Sequence, residues 1–305
     1  DASNQGVIYK TTDAGATWAK AYTSPDFNKF SSVTLISGTE LEVVGKNAAG
    51  CGTFLKTANG GDTWTPVYIT RKLDVSTNSL NAVTKITDTL SIAVGKDASA
   101  SYGLIYRSTD AGATWNLAFS TLDTNTFQAV AANFQAITKI TDTSAIVVGY
   151  DSSNYAVVYK TTDSGVTWTK VYNNNTYSRL YTAVKVSETV LLAAGEGFSR
   201  AGIIYKSTDA GLTWASAYNS SADTVFCAIR SLTAVTATTF EAVGYNTRNH
   251  GVTFISKDSG NTWGLAYTTS TLTPAADYRQ SVFAVSETVA VATGWDSNNY
   301  VGLYR

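Results

Sequence analysis

Methionine is missing from all 305 residues, position 1 included, and histidine occurs once, as His250. The missing Met predicts a mature or trimmed chain whose leader is gone, hence an exported, extracellular protein. One histidine alone builds neither a Ser-His-Asp set nor a histidine metal cluster, so no metal is expected. The two cysteines, Cys51 and Cys227, form no C-x-x-C pair. Their spacing leaves a disulfide and two buried thiols equally open. Charged residues are only 15 % and the formal net charge is −1. That excludes a basic field for nucleic acid or anionic lipid. No apolar run approaches the roughly 18 residues of a membrane span. No phosphate-cradling or dinucleotide motif occurs, so no cofactor is expected.

What the chain has instead is a repeat. Thr11, Asp13, Gly15, Thr17 and Trp18 return as Thr57, Asn59, Gly61, Thr63 and Trp64. They return again around Asp110 and Trp115, Asp163 and Trp168, Asp209 and Trp214, and Asp258 and Trp263. The Trp-to-Trp steps are 46, 51, 53, 46 and 49 residues. A period of about 50 residues marks a repeat architecture. Locally each copy reads as a β-hairpin: a β-rich run, a turn in which Asp bonds forward and Gly takes positive φ, and a return strand opened by Thr-Trp. An aromatic follows four residues after each Trp (Tyr22, Tyr68, Phe119, Tyr172, Tyr218, Tyr267). Period-2 alternation predicts both rings on one strand face.

The motif resembles the Asp box, S/T-x-D-x-G-x-x-W, of the superfamily that includes sialidases, sortilin-type receptors and photosystem II assembly-factor-like proteins. The resemblance covers the whole chain and implies a β-propeller. It also implies that the box is a structural turn on the face opposite the ligand site. The expectation is an all-β, six-bladed propeller of four-stranded antiparallel blades in one domain, 1–305. Five whole units span 31–68, 81–119, 135–172, 181–218 and 231–267. Residues 1–22 and 280–305 share a closing blade, the N-terminal strands pairing with the C-terminal ones. A further strand, Val301–Tyr304, is surplus to that count.

Function is expected on the rim opposite the Asp turns, where connecting loops vary. One row there follows a B-strand glycine: Lys46, Lys96, Tyr150, Glu196, Tyr245 and Trp295. A second row opens each A strand: Lys29, Asn81, Gln135, Arg179, Arg230 and Arg279. Aromatics beside guanidinium groups fit a sugar, a carboxylate or a peptide. The sialidase resemblance implies an arginine triad, here Arg179, Arg230 and Arg279, with Glu196 beside Tyr150 or Tyr245 as the reactive pair. The family's F-R-I-P segment is absent. Other glycosidases need two carboxylates, and Asp97, Asp151 and Asp296 sit in Asp/Ser/Asn loops that read as Asx turns. A non-catalytic binding or assembly module for a protein or glycan is therefore the leading expectation. A glycan-active hydrolase and a subunit that self-associates through its terminal strand are the alternatives.

Overall fold

The computed structural model describes residues 5–13, 15–70, 78–97, 102–122, 132–220, 227–246, 248, 250–268, 277–296 and 301–304. For Tyr177, Cys227, Val285 and residues 277–278, 295–296 and 301–304 only the backbone is described. The fold is all-β. Strands β1 (Gly6–Lys10) and β2 (Ala19–Ser24) form a hairpin. β3 (Phe27–Ser37), β4 (Glu40–Asn47), β5 (Gly52–Thr57) and β6 (Thr65–Ile69) form one four-stranded antiparallel sheet. β7 (Asn78–Lys85), β8 (Ser91–Asp97), β9 (Gly103–Ser108) and β10 (Asn116–Ser120) form the next. β11 (Ala132–Lys139), β12 (Ala145–Asp151), β13 (Tyr155–Thr161) and β14 (Thr169–Lys185) follow, then β15 (Leu191–Gly197), β16 (Gly202–Ser207) and β17 (Ala215–Asn219). β18 (Cys227–Ala234), β19 (Phe240–Asn246), β20 (Gly251–Ser256) and β21 (Gly264–Thr268) make another four-stranded sheet. β22 (Asp277–Ser286), β23 (Val289–Asp296) and β24 (Val301–Tyr304) make a three-stranded one.

Two compact units emerge: residues 1–147 with 159–169, and residues 148–158 with 170–305. In the first unit, Phe27, Val43, Leu55 and Trp64 form one core cluster, and Val44, Phe54, Leu80, Ala93 and Trp115 are in a second. In the second unit, Leu192, Ala194, Ile204, Phe240 and Phe254 are packed together, with Trp263 against them.

The repeated turn has the geometry its residues dictate. Gly15, Gly61, Gly112, Gly165, Gly211 and Gly260 all have φ between 80° and 90°. The residue before four of them is also left-handed (Ala111, Ser164, Ala210, Ser259), the double positive φ that suits a tight hairpin. In five copies the Asp Oδ1 accepts the backbone N–H four residues on, and the Thr hydroxyl donates to Oδ2 at 2.5–2.6 Å. Those bonds favour the ionised acid. The Asp13, Asp163 and Asp258 carboxyls are held at about 2, the Thr17, Thr167 and Thr262 hydroxyls being the chief cause. Asn59 keeps the same cradle by reversing one bond, its Nδ2 donating to Thr63 Oγ1 at 2.9 Å. Four of the indoles donate to the turn glycine carbonyl at 3.0–3.2 Å.

Three expectations are corrected. First, the two aromatics of each copy do not share a face. A β-bulge interrupts the return strand, as at Ile8/Tyr9 against β2 and Phe54/Leu55 against β6. The extra residue resets the alternation. Trp64 therefore packs with Val43 and Leu55, whereas Tyr68 packs with Phe54 and the next copy's Trp115. Tyr22 joins the Trp64 cluster, and Tyr218 lies with Trp263. Second, β23 pairs with β24, in the place expected of β1. The surplus strand has taken the C position, and the two-stranded β1–β2 ladder stands by itself among the described strands. Third, the loop expected at 173–180 is strand, β14 running unbroken for 17 residues. Cys51 is a free, buried thiol, so the disulfide is not formed; the Cys227 side chain lies outside the described residues.

Candidate functional site

The B-strand glycines explain how the site is built. Gly45 pairs with Phe30, Gly95 with Leu80, Gly195 with Leu180 and Gly244 with Ile229. Each A strand then inserts one unpaired residue before the register resumes: Ser31, Asn81, Tyr181 and Arg230. A Cβ on any of these glycines would overlap an A-strand carbonyl oxygen, of Lys29, Ser79, Arg179 or Ala228. Only glycine permits that approach. The bulge in turn re-aims its extra side chain.

In the second unit this device assembles a cluster. Arg179 faces Glu196 directly across the β14–β15 ladder, with Nη1 to Oε1 at 3.2 Å. Arg179 Nε donates to Asn154 Oδ1 at 2.9 Å, and its guanidinium lies 5.2 Å from the Tyr150 ring centre. Asn154 itself is left-handed, at φ 61°, and its carbonyl accepts from Ser178 N. The second carboxylate oxygen of Glu196 is 3.7 Å from Arg230 Nη2. That nitrogen also donates to the Tyr245 hydroxyl at 2.6 Å. The Arg230 guanidinium stacks 4.2 Å from the Tyr181 ring and 5.2 Å from that of Tyr245. Tyr150 and Tyr181 meet edge to face at 6.3 Å. Burial pushes the Tyr181 hydroxyl well above its ordinary range.

Glu196 is only 7 % exposed on its side chain, Arg230 22 % and Arg179 31 %. One nearly buried carboxylate thus holds two half-open guanidinium groups, which leaves donors facing outward and one positive charge in excess. Planar guanidinium forks flanked by phenol rings suit a carboxylate, an amide or a hydroxyl-rich ligand.

Glu196, Tyr150, Tyr245, Arg179 and Arg230 are brought together as expected. Arg279 is not. It pairs with Gly294, one register step before the bulge, and is 6 % exposed. Its Nη1 donates to Thr253 Oγ1 at 2.7 Å, and its guanidinium lies 5.0 Å from the Tyr267 ring. The three arginines are therefore not an equivalent triad: they occupy three consecutive register positions, and that decides where each side chain goes. Lys46 lies in the first unit, opposite Lys29, whose ammonium is shifted down by burial and by the Lys46 charge. Lys96 faces Ser79 in the same unit. The Trp295 side chain lies outside the described residues. Asp151 Oδ1 accepts Ser153 N and Tyr155 N, the Asx turn expected of it. Asp97 is buried, and the loop after it is outside the described residues, as is the Asp296 side chain. Tyr181 and Asn154 were not foreseen. Counting along strand A to the residue just after the glycine's partner would have found Tyr181. Among the described residues no group of three or more His, Cys, Asp or Glu is placed to hold a metal ion, and no helix is long and apolar enough to cross a membrane.

No protein-family model matches the chain, and no curated protein matches it. Solved structures do. YCF48 bound to D1 peptide is 16 % identical at a TM-score of 0.64, covering 97 % of this chain and 85 % of that one. The GH74 xyloglucanase from Xanthomonas campestris is 15 % identical at 0.66, covering 98 % of this chain and 50 % of that enzyme. The β-propeller domain of Cps50 (Swd1) from Myceliophteria thermophila is 10 % identical at 0.59, covering 95 % and 86 %. This chain thus spans about half the length of the GH74 enzyme. The likeness is one of fold, that of β-propellers, and is consistent with the Asp-box-type superfamily that the turns resemble.

Proposed function

We propose that the chain is a non-catalytic binding module that takes a protein segment on the Arg179–Glu196–Arg230 cluster. The observation that carries this reading is the state of Glu196, clasped between two guanidinium groups 3.2 and 3.7 Å away. Such a carboxylate is kept ionised and fixed, which suits orienting two arginines better than delivering a proton. The likeness to YCF48, solved with a peptide bound, favours a protein ligand. Six blades and an exported location belong to this proposal as well. A scattering envelope of the whole chain would test the first, and fractionation of the source cells the second.

The test is binding to carboxylate-rich peptide and glycan arrays by the wild type, Arg179→Ala and Arg230→Ala. The expected result is a peptide hit that weakens with salt and drops at least about tenfold in either variant. Hits that survive both substitutions in folded protein would overturn it. The likeness to the GH74 enzyme keeps a glycan-active hydrolase as the second reading. Turnover of a fluorogenic glycoside panel that vanishes in Glu196→Gln would favour that reading instead.

A further inference from the structure

Each Asp turn in the first unit drops its indole into a socket made by the preceding sheet and its own. Trp115 shows the pattern: it is clustered with Val44, Phe54, Tyr68, Leu80, Val83 and Ala93. Beside it, Glu42 lies against the turn glycine Gly112. Counting from the paired glycines gives the equivalent residues at β19–β23. They are Val243, Thr253, Tyr267, Arg279, Val282 and Ala292, with Glu241 where Glu42 stands. All seven line one cleft of about 760 Å³ in the second unit. Among the described residues no tryptophan enters it. Residue for residue, this is the socket of an Asp turn.

The chain also carries a hairpin that fits such a socket. β1–β2 has its Asp13 turn fully formed, yet its Trp18 is 38 % and Tyr9 55 % exposed. β1 pairs with β2 alone, where C strands elsewhere pair on both sides. In sequence β1 matches β24, Ile8-Tyr9 against Leu303-Tyr304, so β1 can replace β24 on β23 while bringing a turn and a D strand with it.

We propose that the β1–β2 hairpin of a second copy seats Trp18 in this cleft, taking the place of β24. The Arg279 guanidinium at the cleft wall then faces the indole, where Leu80 faces Trp115, and adds a cation–π contact. Such a contact joins two different surfaces and repeats from copy to copy, so it builds head-to-tail chains.

Complementation tests this without losing the fold. Trp18→Ala keeps the socket and Ala292→Phe keeps the hairpin. The wild type is expected to gain mass with concentration by sedimentation. Each variant alone stays at 32.4 kDa, and an equal mixture stops at a dimer, because one good contact remains per pair. Trp18→Phe, which retains a ring, restores partial association and guards against a folding defect in the alanine variant. A mixture that remains monomeric overturns the proposal. So does a wild type that stays monomeric at every concentration while Trp18→Ala lowers its melting temperature, since the hairpin would then be seated within its own chain.

Discussion

The same register position carries opposite electrostatics in the two units. In the first, Lys29 faces Lys46, two cations across one ladder. In the second, Arg179 faces Glu196. A second pair of equivalent positions differs as sharply. Leu192 is wholly buried against Gly260 in the second unit, whereas in the first Glu42 is 2 % exposed against Gly112. Neither Glu42 carboxylate oxygen has a hydrogen-bond partner. Backbone is held constant in both comparisons, through the same glycine and the same bulge. The lesson is that the scaffold repeats by steric necessity, while the side chains it aims are free to differ. A binding cluster can therefore form on one unit without disturbing the other.

The largest expected effect tests the shared part. Gly195→Ala and Gly45→Ala should each cost about 4 kcal/mol in urea unfolding, because an added Cβ meets a carbonyl oxygen in either unit. If Gly45→Ala were mild, the bulge would be a feature of the second unit alone and the comparison would fail.

The next effect concerns Glu42. Burial raises its carboxyl from the ordinary 4.5 to about 7, with Ser91 and Lys56 opposing. The folded state therefore holds this proton more tightly than the unfolded chain does. Stability from the group is complete below pH 4.5 and is lost as pH rises through 7. Glu42→Gln or Glu42→Leu should accordingly stabilise by about 3 kcal/mol at pH 8 and by almost nothing near pH 4. A gain independent of pH would mean that packing, not charge, separates Glu42 from Leu192.

The smallest effect repairs the rim. Lys46→Glu gives Lys29 the counter-ion that Arg179 already has. Cross-strand opposite charges are worth about 0.5 kcal/mol, and the gain should fade in high salt. No salt dependence would show that the two lysines do not feel each other.

Much of the fold was legible because its turn chemistry is stereochemically narrow. Asp, Gly and Thr at fixed offsets leave the backbone one comfortable conformation, and every strand expected from those anchors is present. Bulges carry no such signature of their own. Arg179, Arg230 and Arg279 look interchangeable when counted from the strand start, yet one inserted residue sends Arg230 onto Tyr181 and leaves Arg279 under Tyr267. The same omission put Trp64 and Tyr68 on one face. Register, in short, was invisible except through the glycine that accommodates the bulge, and that glycine was noted without asking which carbonyl it makes room for.

The bulge in the return strand gives the repeat a direction. Tyr22 reaches forward to the Trp64 cluster and Tyr68 to that of Trp115. A copy lifted out of the series would leave a lone ring on one flank and a hole on the other. Shuffled or duplicated versions of this protein should therefore tolerate whole copies inserted in head-to-tail order and reject any that are reversed or halved.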